Sequence, residues 1–117
     1  MQVKDIMTTA VEIVTPDTTL AEAADRMRSV DIGVLPVQEG TEVVGVITDP
    51  DMTVRAIAQG LDARTATVGE VMTRQVRYCY EDESVEEAAR KMAEWRLRRL
   101  IVLDRAQRLV AAAAGSL

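Results

Sequence analysis

The chain repeats itself. The segment Val3-Lys-Asp-Ile-Met-Thr8 returns as Val68-Gly-Glu-Val-Met-Thr73, an offset of 65 residues. Carried from 3–37 onto 68–102, that offset pairs 35 positions, of which 11 are identical: Val3, Met7, Thr8, Val11, Asp17, Glu22, Ala23, Ala24, Met27, Leu35 and Val37 with their partners. Six further pairs are conservative, among them Thr19/Ser84, Leu20/Val85 and Ile32/Leu97. A duplication constrains the fold more tightly than any composition, because each copy must be one supersecondary unit that buries its apolar face with help from its neighbour. The repeats divide the chain at 1–65 and 66–117.

Each copy carries the same signals in the same order. A short strand (11–14, then 76–78) leads to a helix whose entrance is a Ser/Thr-x-x-Glu capping box, Thr19 with Glu22 and Ser84 with Glu87. Leu20, Ala23, Ala24 and Met27 recur at helical spacing, as do Val85, Ala88, Ala89 and Met92, and the alanines allow close packing on a sheet. Two strands follow, 34–38 and 43–48, joined by a hairpin-like turn at 39–42; in the second copy they are 99–103 and 109–113 across 104–108. The first copy continues into a helix at 50–59, opened by Pro50, which loses no hydrogen bond in a first turn, and stopped by Gly60. In the second copy the last helix is short or missing.

This β-α-β-β-α order, repeated after 65 residues, resembles the tandem CBS domain pair, or Bateman module, in its small stand-alone form. The likeness covers essentially the whole chain. It rests on the Val3–Thr8 motif and its echo, the Thr-Leu-x-Glu-Ala-Ala helix entrance, Gly-Val-Leu-Pro-Val at 33–37, and Val-Gly-Val-Ile-Thr-Asp-Pro-Asp at 44–51. The resemblance implies an α+β fold, with small mixed sheets packed through a shared core and homodimers formed through sheets and helices. It also implies an adenosine-containing ligand in the cleft between the repeats.

The stretch Gly45-x-x-Thr48-x-x-Asp51 resembles the family's ribose-phosphate motif, and its chemistry stands independently. Gly45 lets backbone approach a planar base. Thr48 ends a strand and offers a hydroxyl, and Asp51 at a helix start can accept from both ribose hydroxyls. The bland alternative is a helix start, with Thr48 or Asp49 as N-cap and Asp51 paired to Arg55 at i,i+4. The resemblance places Arg98 and Arg99 at the phosphates, a task suited to a guanidinium because it stays charged and binds bidentately. Alternation sends the two to opposite strand faces, so one makes the main contact. Surface pairing with Glu86, Glu87 or Asp104 is the competing use of these arginines. Tyr78 or Tyr80 would flank the base, with Val46 and Ile101 as apolar walls, although strand aromatics are more often core. Cys79 reads as a small buried apolar group.

The equivalent site in the second copy has lost its polar groups. The turn there is one residue longer, so beyond it the offset becomes 66: Thr48 corresponds to Ala114 and Asp51 to Leu117. Gly33 and Val34 stand where the other copy has Arg98 and Arg99. One competent site per chain is expected.

Composition narrows the chemistry. With no Phe, one Trp and two Tyr the core must be aliphatic. No apolar stretch reaches the ~20 residues of a membrane span, and no signal-peptide segment opens the chain. One cysteine makes no internal disulfide, which points to the cytoplasm. A net charge of −5 disfavours nucleic acid. The absence of histidine removes the commonest general base, and with a single Cys no usual zinc site can form. No metal site and no catalytic residues are assigned.

The leading expectation is an allosteric sensor that binds AMP, ADP or ATP without catalysis and signals to a separate effector protein. The alternative is a dimerisation scaffold with a vestigial nucleotide site. An enzyme is disfavoured, since neither a nucleophile motif nor a P-loop is present.

Overall fold

The leading motif of each repeat folds into the other repeat's core. A computed structural model describes residues 1–7, 12–30, 33–97 and 99–114, with backbone alone for 30, 99 and 112–114. It divides into two compact units, one of Glu12–Val76 and one joining Met1–Val11 to Arg77–Leu117. Sequence repeats and compact units are thus cut at different places.

In the unit Glu12–Val76, α1 (Leu20–Val30) is followed by β1 (Val34–Glu39) and β2 (Glu42–Thr48). The Thr19 hydroxyl accepts from the Glu22 amide at 3.2 Å, capping α1 as the motif requires. Leu20, Ala23 and Met27 are buried while Ala24 is exposed, so the packing face is narrower than the alanine pair suggested. β1 and β2 form an antiparallel ladder from Val34↔Thr48 to Glu39↔Glu42, with a bulge at Val37/Gln38. Of the expected strand 11–14, Val14 pairs in parallel with Val37, and Val11 lies outside the described residues. The helix expected at 50–59 is present, wound as a π-helix over Asp51–Ala56, and Gly60 ends it at φ +70°. A short α2 (Val68–Val71) follows, which periodicity had not announced.

The returning segment seals this unit. The Leu20 amide donates to the Ala66 carbonyl, Val68 to Thr18 and Gly69 to Pro16, at 2.8–3.0 Å. Val68, Val71 and Met72 join Val14, Leu20, Ala23, Met27, Leu35, Val37 and Ile47 in one apolar cluster.

The other unit repeats the plan with the partners exchanged. It holds β3 (Tyr78–Tyr80), α3 (Val85–Trp95), β4 (Arg99–Leu103) and β5 (Leu109–Ala114). The sheet runs β3-β4-β5, parallel then antiparallel. Here the Val85 amide donates to Met1, Val3 to Glu83 and Lys4 to Glu81, each the counterpart at offset 65 of a bond in the first unit. Val3 enters a cluster with Cys79, Ala88, Met92, Leu100, Val102 and Ala111. Among the described residues each unit thus has its own apolar cluster. Cys79 is buried as a small apolar group, and its thiol is pushed up to about 11 by that burial.

Strand 76–78 was placed early; β3 is Tyr78–Tyr80. The longer β4–β5 turn is held by Asp104, which accepts from the Ala106 and Arg108 amides at 2.9 and 3.0 Å, while Gln107 takes φ +67°. Among the described residues no helix is long and apolar enough to cross a membrane.

Candidate functional site

Thr48 and Asp51 lock each other across the junction of β2 and the π-helix. The Thr48 amide donates to Asp51 Oδ2 at 3.0 Å, and the Asp51 amide donates to the Thr48 hydroxyl at 3.2 Å. Reciprocity of this kind caps a helix by satisfying orphan amides. Asp51 is the one buried charged residue among those described, 4% exposed. A buried carboxylate is costly unless several donors face it.

One further donor and one cation face it. The Thr73 hydroxyl donates to Oδ1 at 3.0 Å and lies 3.2 Å from Oδ2. Arg55 Nη1 stands 3.5 Å from Oδ1 and donates to the carbonyls of Val71 and Met72 at 3.0 and 3.3 Å. The i,i+4 pairing of Asp51 with Arg55 is thus present, and so is Thr48 as a cap.

Gly45 is held close against the chain's own backbone. It lies on the core face of β2 with Ile47, and a Cβ there would come 2.6 Å from the Thr73 carbonyl and 3.3 Å from Met72 Sδ. The Thr73 backbone pairs with Val46 in both directions, at 2.8 and 2.9 Å. The missing side chain therefore admits the chain's own backbone. Val46 and Thr48 alternate onto the opposite face of β2.

In the other unit Tyr78 and Ile101 are register partners. Tyr78 meets Tyr80 edge to face, ring centroids 5.5 Å apart. Tyr80 is engaged further: Gln107 donates to its hydroxyl at 2.7 Å, lowering its pKa, and the Arg105 guanidinium lies 4.0 Å over its ring. Arg105 also grips Asp82 through two nitrogens at 2.8–3.1 Å. Arg98 lies outside the described residues, as does the side chain of Arg99. Backbone register pairs Arg99 with Ala114 as it pairs Val34 with Thr48, so the offset of 66 holds and a methyl replaces the Thr48 hydroxyl. Leu117 lies outside the described residues.

Sequence reasoning missed Thr73 as a site residue. Its signal was present, since it ends the duplicated Met-Thr motif, but nothing local told which carboxylate it would meet.

A family model for the CBS domain matches residues 3–58 and 68–111. The chain belongs to the CBS domain family. It is 37% identical over 102 residues to hypoxic response protein 1 of Mycobacterium tuberculosis, covering 86% of this chain and 71% of that protein. A crystal structure of Hypoxic Response Protein I with two coordinated zinc ions superposes with a TM-score of 0.87 at 34% identity, covering 99% and 94% of the two chains. The CBS domain pair of protein MJ0100, in complex with 5'-methylthioadenosine and S-adenosyl-L-methionine, has a TM-score of 0.83 at 31% identity over 99% and 94%. CBSX2 in complex with AMP has a TM-score of 0.83 at 28% identity over 98% and 90%.

This CBS pair contains no histidine, its one cysteine is buried, and no group of three His, Cys, Asp or Glu occurs among the described residues.

Proposed function

We propose that this CBS pair is a regulatory ligand-sensing module that binds an adenosine nucleotide of the AMP, ADP or ATP type without catalysis. The observation that carries the reading is Asp51, a buried carboxylate locked at the end of β2 beside the Thr48 hydroxyl. A carboxylate in such a turn has the acceptors a ribose diol needs, and the hydroxyl is a donor for a phosphate oxygen. Support comes from the structural neighbours solved with AMP and with S-adenosyl-L-methionine and 5'-methylthioadenosine, all of which contain adenosine. Regulation would follow from differential affinity for two arrangements of the module, read by a separate effector protein.

A second reading, a dimerisation scaffold with a vestigial site, is favoured by one observation: Asp51 is already satisfied by Thr48, Thr73 and Arg55.

Thermal unfolding with and without millimolar AMP, ADP, ATP, NAD and S-adenosylmethionine separates the two. A ligand at ~100 times its Kd stabilises the fold by about 2.7 kcal/mol, several degrees at this size. The sensor reading expects such a shift, absent in Asp51→Ala. It also expects Arg98→Ala or Arg99→Ala to weaken AMP binding more than adenosine binding. No shift with any of the five ligands returns the module to the scaffold reading.

A further inference from the structure

The Asp51 carboxylate has few ways of accepting a ligand while the chain stays as it is. Its two oxygens offer about four acceptor directions. The Thr48 amide takes one on Oδ2, the Arg55 guanidinium stands as an ion pair 3.5 Å from Oδ1, and the Thr73 hydroxyl sits within 3.2 Å of both oxygens at once. A donor shared between both carboxylate oxygens occupies the approach that a vicinal diol uses, one hydroxyl to each oxygen. The residue's 4% exposure agrees, because little of the carboxylate is left uncovered.

The three groups differ in how readily they can leave. The Thr48 amide is fixed by the turn itself, through the return bond from the Asp51 amide. Arg55 is also tied to two backbone carbonyls. The Thr73 hydroxyl hangs on a single side-chain torsion, while its backbone is anchored separately to Val46. Rotating that torsion uncovers the carboxylate without breaking the sheet.

We infer that Thr73 sets the affinity of this site: its hydroxyl is a built-in stand-in for the ligand's diol and must be displaced when the ligand binds. The inference rests on the proposed nucleotide function. It gives the second repeat's Met-Thr motif a role in the first repeat's site. Free energy released when ribose hydroxyls meet Asp51 is reduced by the bond given up, so the closed carboxylate tunes the sensor toward weaker binding.

The test is isothermal titration of AMP into the full chain and its Thr73→Val and Thr73→Ser variants, with apo melting curves alongside. Valine keeps the shape and removes the donor; serine keeps the donor. Thr73→Val is expected to melt a few degrees lower without ligand and to bind AMP about tenfold more tightly, the worth of one hydrogen bond to a charged acceptor. Thr73→Ser is expected to match the wild type in both. Unchanged or weaker AMP binding by Thr73→Val overturns the inference, as does a serine variant that behaves like valine. Absence of AMP binding in all three, followed by absence of ADP and ATP binding in the same titrations, sinks the nucleotide reading itself, a result distinct from binding that Thr73 fails to modulate.

Discussion

Replacing Gly45 by alanine is expected to be among the most damaging single-methyl additions in the unit Glu12–Val76. The added Cβ would lie 2.6 Å from the Thr73 carbonyl oxygen and 3.3 Å from Met72 Sδ. Real contacts of this kind begin near 3.0 Å and relax by 3.4 Å, so strand and carbonyl must separate by about 0.4–0.8 Å. That carbonyl accepts the Val46 amide at 2.9 Å, and the Thr73 amide returns a bond of 2.8 Å, so both bonds stretch together. Overpacking costs about 1–3 kcal/mol and two weakened bonds about 1 kcal/mol more, giving roughly 2–4 kcal/mol. Against a total stability of roughly 5–15 kcal/mol this is a large fraction, about 8–16 °C in melting temperature. Gly33→Ala is the control. Its Cβ would also meet an atom at 2.6 Å, but that atom is Oδ2 of the exposed Asp49, which can swing away. Urea and thermal melts of the two variants should therefore differ sharply, with Gly33→Ala within about 0.5 kcal/mol of wild type. If Gly45→Ala melts within about 2 °C of wild type, the backbone approach of Thr73 is not what requires glycine. Equal losses for both variants would refute the distinction between a backbone and a side-chain neighbour.

Two further outcomes follow from the other unit. The Cys79 thiol, pushed up to about 11 by burial, should resist thiol reagents at pH 8 until the chain unfolds. Because the unfolded state releases this proton at a lower pH than the native state, stability should fall as pH rises between about 9 and about 11, and Cys79→Ala should lose that dependence in pH-resolved urea melts. Arg96 ends α3 at φ 55°, ψ 44°, a left-handed cap that suits glycine, so Arg96→Gly should raise the melting temperature by about 2–4 °C; a fall would mean that its side chain contributes more than its backbone strain costs.

The amount legible in advance varied along the chain. Thr19 and Ser84 capped their helices where the motif put them, and the duplicated strand pair kept its register through a bulge at the same place in each copy, Val37/Gln38 and Val102/Leu103. These features depend on residues close in sequence, or on alternation that one register alone buries. The Thr48–Asp51 lock was also readable, because cap chemistry spans three residues. The neighbour of Gly45 was not readable for the opposite reason: what fills its missing side chain arrives from 28 residues away.

By itself the sequence determined the duplication, the order of the main helices and strand pairs, an aliphatic interior and the loss of the Thr48 hydroxyl from the second copy. Only the tertiary structure decided that each Val-x-x-x-Met motif seals the other copy's core, with Val68 in one cluster with Leu35 and Val3 in one with Leu100. It alone decided that Thr73 faces Asp51. Identical motifs carry identical local signals, so a sequence cannot say which of two equivalent partners a segment will choose. Backbone hydrogen bonds and apolar burial made at long separation make that choice, and they leave no periodicity behind.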